Sequence, residues 1–115
     1  MIVTLPWPNR DLSPNVKKGW RAKWRATKAA KLSAWVRVKS DSLHRSFAGA
    51  DVLHVKITFH PPDRRARDED NLVASCKAYL DGIAGAILVD DSRFRLSHTV
   101  GDVCKGGAVI VTVTL

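Results

Sequence analysis

The stretch from Asp51 to His60 constrains the fold more than any other, because Leu53, Val55, Ile57 and Phe59 alternate with Val52, His54, Lys56 and Thr58. A period of two belongs to a strand with one face buried and the other in water. Such a strand needs neighbours to pair with and a layer of helices or a second sheet to cover its apolar face. Pro61 and Pro62 end it, since proline has no N–H to extend a ladder.

Three other segments supply the neighbours. Ile2 to Leu5 is a short β-branched run stopped by Pro6 and Pro8, leading into a turn-rich loop through Pro14 and Asn15. Arg93 to Val100 alternates Phe94, Leu96, His98 and Val100, and a last strand after Gly106-Gly107 sets Val109, Val111, Val113 and Leu115 on one face. The covering layer comes from two helical regions. Lys17 to Phe47 has no proline, one glycine (Gly19) and many Ala, Lys, Arg and Leu residues, which predicts one long helix or two, closed at Gly49. Its expected apolar stripe is Trp20, Trp24, Trp35 and Val38, adjoined by Leu32, Val36 and Leu43. The three tryptophans read as core or dimer interface, with base stacking the other reading. A second helix begins near Asp70, where Leu72, Cys76, Tyr79, Leu80 and Ile83 recur at helical spacing, and Gly82 and Gly85 weaken its end before an Asp90-Asp91 turn. The order β-α-β-α-β-β predicts an α+β fold of two layers, a mixed sheet with helices on one side. At 115 residues, 1–115 is one domain.

Charge is unevenly placed. Residues 1–47 hold eleven Lys or Arg against Asp11 and Asp41, whereas residues 48–115 hold eight bases against nine acids, so the net +8 is +9 in the first part and −1 in the second. The first part predicts a polyanionic partner, most often nucleic acid. No apolar run approaches the roughly 20 residues that cross a bilayer, and the start lacks the features of a signal peptide. Cys76 and Cys104 are too few for a disulfide scaffold and have no metal-ligand spacing, which predicts a reducing cytoplasm. His44, His54, His60 and His98 form no HxxxH or Cys/His pair, which argues against zinc.

The acidic part concentrates its chemistry in Asp63-Arg64-Arg65-Ala66-Arg67-Asp68-Glu69-Asp70-Asn71, at a strand-to-helix junction. In extended chain Asp68 and Asp70 face the same way, with Glu69 turned from them. One carboxylate from Asp90-Asp91 would complete three hard oxygen donors, the kind Mg²⁺ takes while keeping waters. The same aspartates also read as a helix cap and a turn. Arg64, Arg65 and Arg67 read either as phosphate contacts or as neutralisers of the adjacent acids. Lys77 reads as a solvated helix residue or one that reaches a phosphate, and His60, at the strand end, as a minor site candidate.

In this junction, together with Leu5-Pro6-Trp7-Pro8, Asp90-Asp91 and Lys105-Gly106-Gly107, the sequence resembles the RusA family of Holliday junction resolvases, in order over nearly the whole chain. The resemblance implies a homodimer that resolves four-way DNA junctions with Mg²⁺ in recombination and repair, of the kind phages and prophages carry in bacteria. It carries catalytic and metal roles to Asp68, Asp70 and Asp91, with Asp90 in support. The family's lysine four residues after the second aspartate is Ala74 here, and Lys77, one turn on, is the candidate to replace it. The basic segment matches the family in charge alone, so Lys17, Lys18 and Arg21 are DNA-binding candidates by charge and Asn15 by position.

The expected mechanism is Mg²⁺ held by three aspartates, positioning a water for in-line attack, with Arg67 or Lys77 offsetting phosphorane charge. A two-fold dimer suits a near-symmetric junction that needs two nicks. A helix from Asn71 to Ala84 would be about 20 Å long, so Asp91 meets Asp70 only if the chain doubles back or a partner supplies the turn. Doubling back is the expectation. The alternative function is a basic nucleic-acid-binding module without catalysis.

Overall fold

The computed structural model describes every residue except Lys18, and that DNA-binding candidate therefore lies outside the described residues. Four strands form one sheet in the order β1-β4-β2-β3: β1 is Ile2–Pro6, β2 Leu53–His60, β3 Phe94–Val100 and β4 Ala108–Thr114. The β4 strand runs antiparallel to both β1 and β2, whereas β2 and β3 are parallel. The sheet is therefore mixed: β1 and β2 run the same way on either side of β4 and are joined through α1, β2 and β3 are joined through the later helices, and the chain reverses only between β3 and β4. Helix α1 (Trp20–Lys39), α2 (Glu69–Ser75) and α3 (Lys77–Ile87) complete the expected α+β order.

The alternation read in β2 is kept. Leu53, Val55, Ile57 and Phe59 are fully buried beside Val109, Val111 and Val113 of β4, and Val3 and Leu5 of β1 extend that face. In β3 the alternation fails. Phe94 is buried, but Leu96 and Val100 on the same side are exposed, because the apolar layer ends short of this edge strand. Leu115, expected on the apolar face of the last strand, lies past its end and is exposed.

Two helical expectations change. The segment 17–47 forms α1 and then a 3-10 stretch, Ser42–Phe47, instead of one or two α-helices. Ser40 donates its hydroxyl to the Val36 carbonyl and Asp41 accepts from the Leu43 N–H, so polar side chains close one helix and open the next turn. The second helix splits at Cys76, whose φ of −93° and ψ of 0° leave the helical region. Ser75 bonds back to the Asn71 carbonyl just before the break, a contact that bends helices.

The larger correction concerns which face of α1 is buried. The buried residues are Ala26, Ala30, Ala34 and Val38; of the expected stripe Val38 is inside and the rest is outside, with Trp20 71% exposed and Trp24 56%, and Trp35, Leu32, Val36 and Leu43 also exposed. The reason is the tight seam between α1 and α3. At Gly82 an added Cβ would collide with the Lys31 carbonyl oxygen and lie 3.0 Å from the Ala34 Cβ. Only small side chains fit there, and indoles would hold the helices apart.

Gly82→Ala is expected to lower stability by about 1–3 kcal/mol through overpacking. Gly85→Ala, at an exposed position 3.9 Å from Trp35, should raise it by about 0.5–1 kcal/mol through helix propensity. Urea midpoints of the two variants test both the seam and its sidedness.

Candidate functional site

The site begins where β2 stops. Pro61 and Pro62 end the ladder, and residues 63–67 form a loop organised by one guanidinium. Arg67 donates from Nη1 to the carbonyls of Asp63 (3.1 Å) and Arg65 (3.0 Å), and from Nη2 to Asp63 Oδ1 (2.8 Å). Its guanidinium lies over the Trp7 ring at 5.4 Å, and Trp7 in turn meets Phe59 edge to face at 6.3 Å. The Arg65 backbone N–H and then the Arg67 guanidinium hold the Asp63 carboxyl below the usual carboxylate range. Of the two readings of the arginines, Arg67 takes the structural one, clamping the loop and neutralising Asp63. Arg64 and Arg65 are exposed on the outside of that loop.

Asp68 caps α2, its Oδ1 accepting from the Asp70 N–H at 2.9 Å, and Asp68 and Asp70 are both exposed. Asp68 thus fulfils the capping reading while its second carboxylate oxygen remains a potential donor to a cation. Glu69 faces β3 and stands 3.1 Å from the His98 ring. His60 is placed elsewhere: its Nδ1 donates to the Asp102 carbonyl at 2.8 Å, tying the end of β2 to the loop after β3.

The chain doubles back, as the length of residues 82–90 allowed. Leu88 adopts a left-handed conformation (φ 62°, ψ 38°) that ends α3, Asp90 caps the 3-10 turn Asp91–Arg93, and Asp91 reaches the Lys77 ammonium at the start of α3. Lys77 also bonds Asp81 at 2.7 Å. Asp81 first, and Asp91 second, raise the Lys77 pKa. The Ser92 side-chain and backbone contacts lower that of Asp90. Ala74 shares a groove with Lys77, Lys23 and Asp81.

The acids therefore stand in two groups, Asp68 with Asp70 at the start of α2, and Asp81, Asp90 and Asp91 around Lys77. Among the described residues no three His, Cys, Asp or Glu side chains stand close enough to hold one ion, so the expected convergence of Asp68, Asp70 and Asp91 is not found. Asp91 is held in an ion pair with Lys77 at the start of α3. The donor chemistry still suits Mg²⁺, which is commonly bound by one or two carboxylates with waters and substrate phosphates.

A cleft lies beside each group. One, of about 560 Å³, is lined by Trp7, Asn9, Arg10, Arg65, Asp68 and Asn71. The other, of about 400 Å³, is lined by Lys31, Asp81, Gly85, Asp90 and Asp91. Sequence reasoning assigned no site role to Trp7, Arg10, Lys31 or Asp81. Asp81 was legible as the i+4 partner of Lys77 on one helix face, whereas the others arrive from distant segments. Asn15 and Lys17 are exposed in the loop before α1, and Arg21 is exposed in its first turn.

No family model matches the sequence. An uncharacterised protein of the bacterium Xylella fastidiosa (strain Temecula1) is 38% identical over 119 residues, covering 97% of this chain and 74% of the relative. The chain belongs to the same family as that protein. Among the described residues, no helix is long and apolar enough to cross a membrane.

Tyr79 ties the first cleft to the core: its hydroxyl donates to the Pro6 carbonyl at 2.8 Å, fixing the point where β1 enters the cleft loop. Burial pushes its pKa from 10.0 up to about 12. The folded phenol keeps its proton where the unfolded one ionises, so stability falls as pH rises from about 10 to about 12. Lys77, whose raised pKa adds stability that is lost as pH rises through it, contributes a slope of the same sign. Tyr79→Phe should cost about 1 kcal/mol at neutral pH. It should also flatten the loss of stability above pH 10, as measured by urea unfolding across that range.

Proposed function

We propose that this protein is a Mg²⁺-dependent endodeoxyribonuclease that resolves four-way DNA junctions, acting as a homodimer in recombination and repair. The observation that carries the reading is the exposed acidic start of α2, where Asp68 lines a cleft together with Arg10, Arg65 and Arg67 and Asp70 follows two residues on. Carboxylates beside cations are what phosphodiester hydrolysis needs: a place for a metal and a place for the phosphate. The likeness to the RusA family in the same residues supports the choice of substrate.

In this reading Asp68 and Asp70 would hold Mg²⁺, which supplies an activated water and offsets phosphate charge. Arg65 and Arg64 hold the phosphodiester from the loop, and Arg67 keeps that loop in shape through its bonds to Asp63 and Arg65. Lys77 stands between Asp81 and Asp91, so a phosphate approaching that side meets an ammonium already oriented by two carboxylates. Asp91 joins the metal-holding set if Lys77 turns from it to the phosphate. A two-fold dimer then presents two equal sites to the two strands that must be cut.

The test compares a mobile four-way junction with linear duplex and single strand, in Mg²⁺ and in EDTA. The junction should be cut in Mg²⁺ only, by paired nicks. Asp70→Asn should keep junction binding and lose at least about a hundredfold in cleavage rate, since even indirect partners of a metal cost 10–100-fold. Normal cleavage by Asp70→Asn would overturn the assignment. Lys77→Gln should retain binding and cut more slowly.

A further inference from the structure

The face of α1 that the fold leaves outside is the largest feature the nuclease reading does not use. Trp20, Trp24 and Trp35 fall within about 60° of arc at 100° per residue, and all three are exposed. Each indole has a cation over its ring: Arg21 on Trp20 at 5.5 Å, Lys28 on Trp24 at 4.9 Å and Lys39 on Trp35 at 5.6 Å. Seven Lys or Arg residues and no Asp or Glu lie on the helix. Exposed aromatic surface on this scale marks an interaction site.

We propose that this face of α1 binds single-stranded DNA, with Trp24 and Trp35 stacking on bases and the neighbouring Lys28 and Lys39 meeting phosphates. Aromatic rings with interleaved cations are the surface that holds unpaired strands, because every base offers a π-face and every linkage a charge. Duplex DNA keeps its base faces inside the stack and offers the indoles nothing comparable. A second copy docked across a two-fold axis would set this acid-free helix against itself, cation to cation. A lipid surface calls for cations and indoles on separate sides of the helix, whereas here they are mixed on one.

The face also leads somewhere. Trp35 lies beside Gly85, and Gly85 lines the cleft that contains Lys31, Asp90 and Asp91. A strand stacked along α1 would run to the rim of that acidic cleft. The proposal deepens the nuclease reading and rests on it for the choice of DNA, since it names the unpaired strand of a branched substrate as what α1 holds.

The experiment measures binding of labelled oligothymidylate to the full chain in EDTA, by fluorescence anisotropy over a range of salt. Trp24→Ala and Trp35→Ala should each weaken binding about tenfold. Trp24→Phe should recover most of the loss, and the salt dependence, set by phosphate contacts, should stay unchanged in all three. Far-UV circular dichroism shows whether each variant keeps its fold, which the exposure of both indoles favours. Wild-type affinity in the alanine variants would overturn the proposal. So would equal affinity for duplex of the same length, tryptophan-dependent binding to phosphatidylglycerol vesicles in place of DNA, or a tryptophan-dependent dimer by sedimentation. Tryptophan-dependent binding without junction cleavage in Mg²⁺ would sink the nuclease reading and leave this one standing. Cleavage with tryptophan-independent binding would do the reverse.

Discussion

The close approach of α3 to α1 at Gly82 decides more of this molecule than any other contact. Because the Lys31 carbonyl and Ala34 leave no room for a Cβ at that point, the two helices meet through small residues, with Ala26, Ala30 and Ala34 turned inward. Every large side chain of α1 must then lie to the side or outside. The same seam presses the apolar face of α3, Tyr79, Leu80, Ile83 and Ile87, onto the sheet. With α3 so placed, its first turn presents Lys77 outward, where Asp91 comes back to meet it.

From that arrangement the charges of the chain sort into different kinds of surface. Three of the seven cations of α1 stand over exposed indoles, on a helix without acids. Six of the nine acids of the second half stand at the start of α2 and around Lys77, where Asp68 and Asp90 cap turns and Asp81 and Asp91 pair with Lys77. Arg67, readable in sequence as a phosphate contact or as a neutraliser of adjacent acids, bonds Asp63 and closes the 63–67 loop, while Arg64 and Arg65 are exposed. A net charge of +8 describes neither surface.

Much of the fold was legible because its signals are local. Alternation in β2, the prolines after it, the turn residues before β4 and the acid-capped start of α2 each depend on neighbours within a few positions. The Asp68 cap was readable for the same reason; the chain length between 82 and 90 permitted a return, but it brings Asp91 to Lys77 and not to Asp70. The face of α1 was misread because tryptophan weight dominates any hydrophobic pattern, whereas a helix seam selects for small size. Leu96 and Val100 were misread because alternation shows which residues share a face, not how far the covering layer extends.

The sequence by itself determined the α+β order, the position of the acidic junction at a helix start and the division of charge between the two parts of the chain. All of these follow from backbone preferences and residue spacing. Tertiary structure alone decided that the tryptophans stand in water, that Arg67 serves the loop, and that Asp91 pairs with Lys77 while Asp68 and Asp70 stand apart. Those outcomes depend on how near two helices can come and on which distant residues share a cleft. Both are set by packing in three dimensions, which no periodicity along the chain encodes.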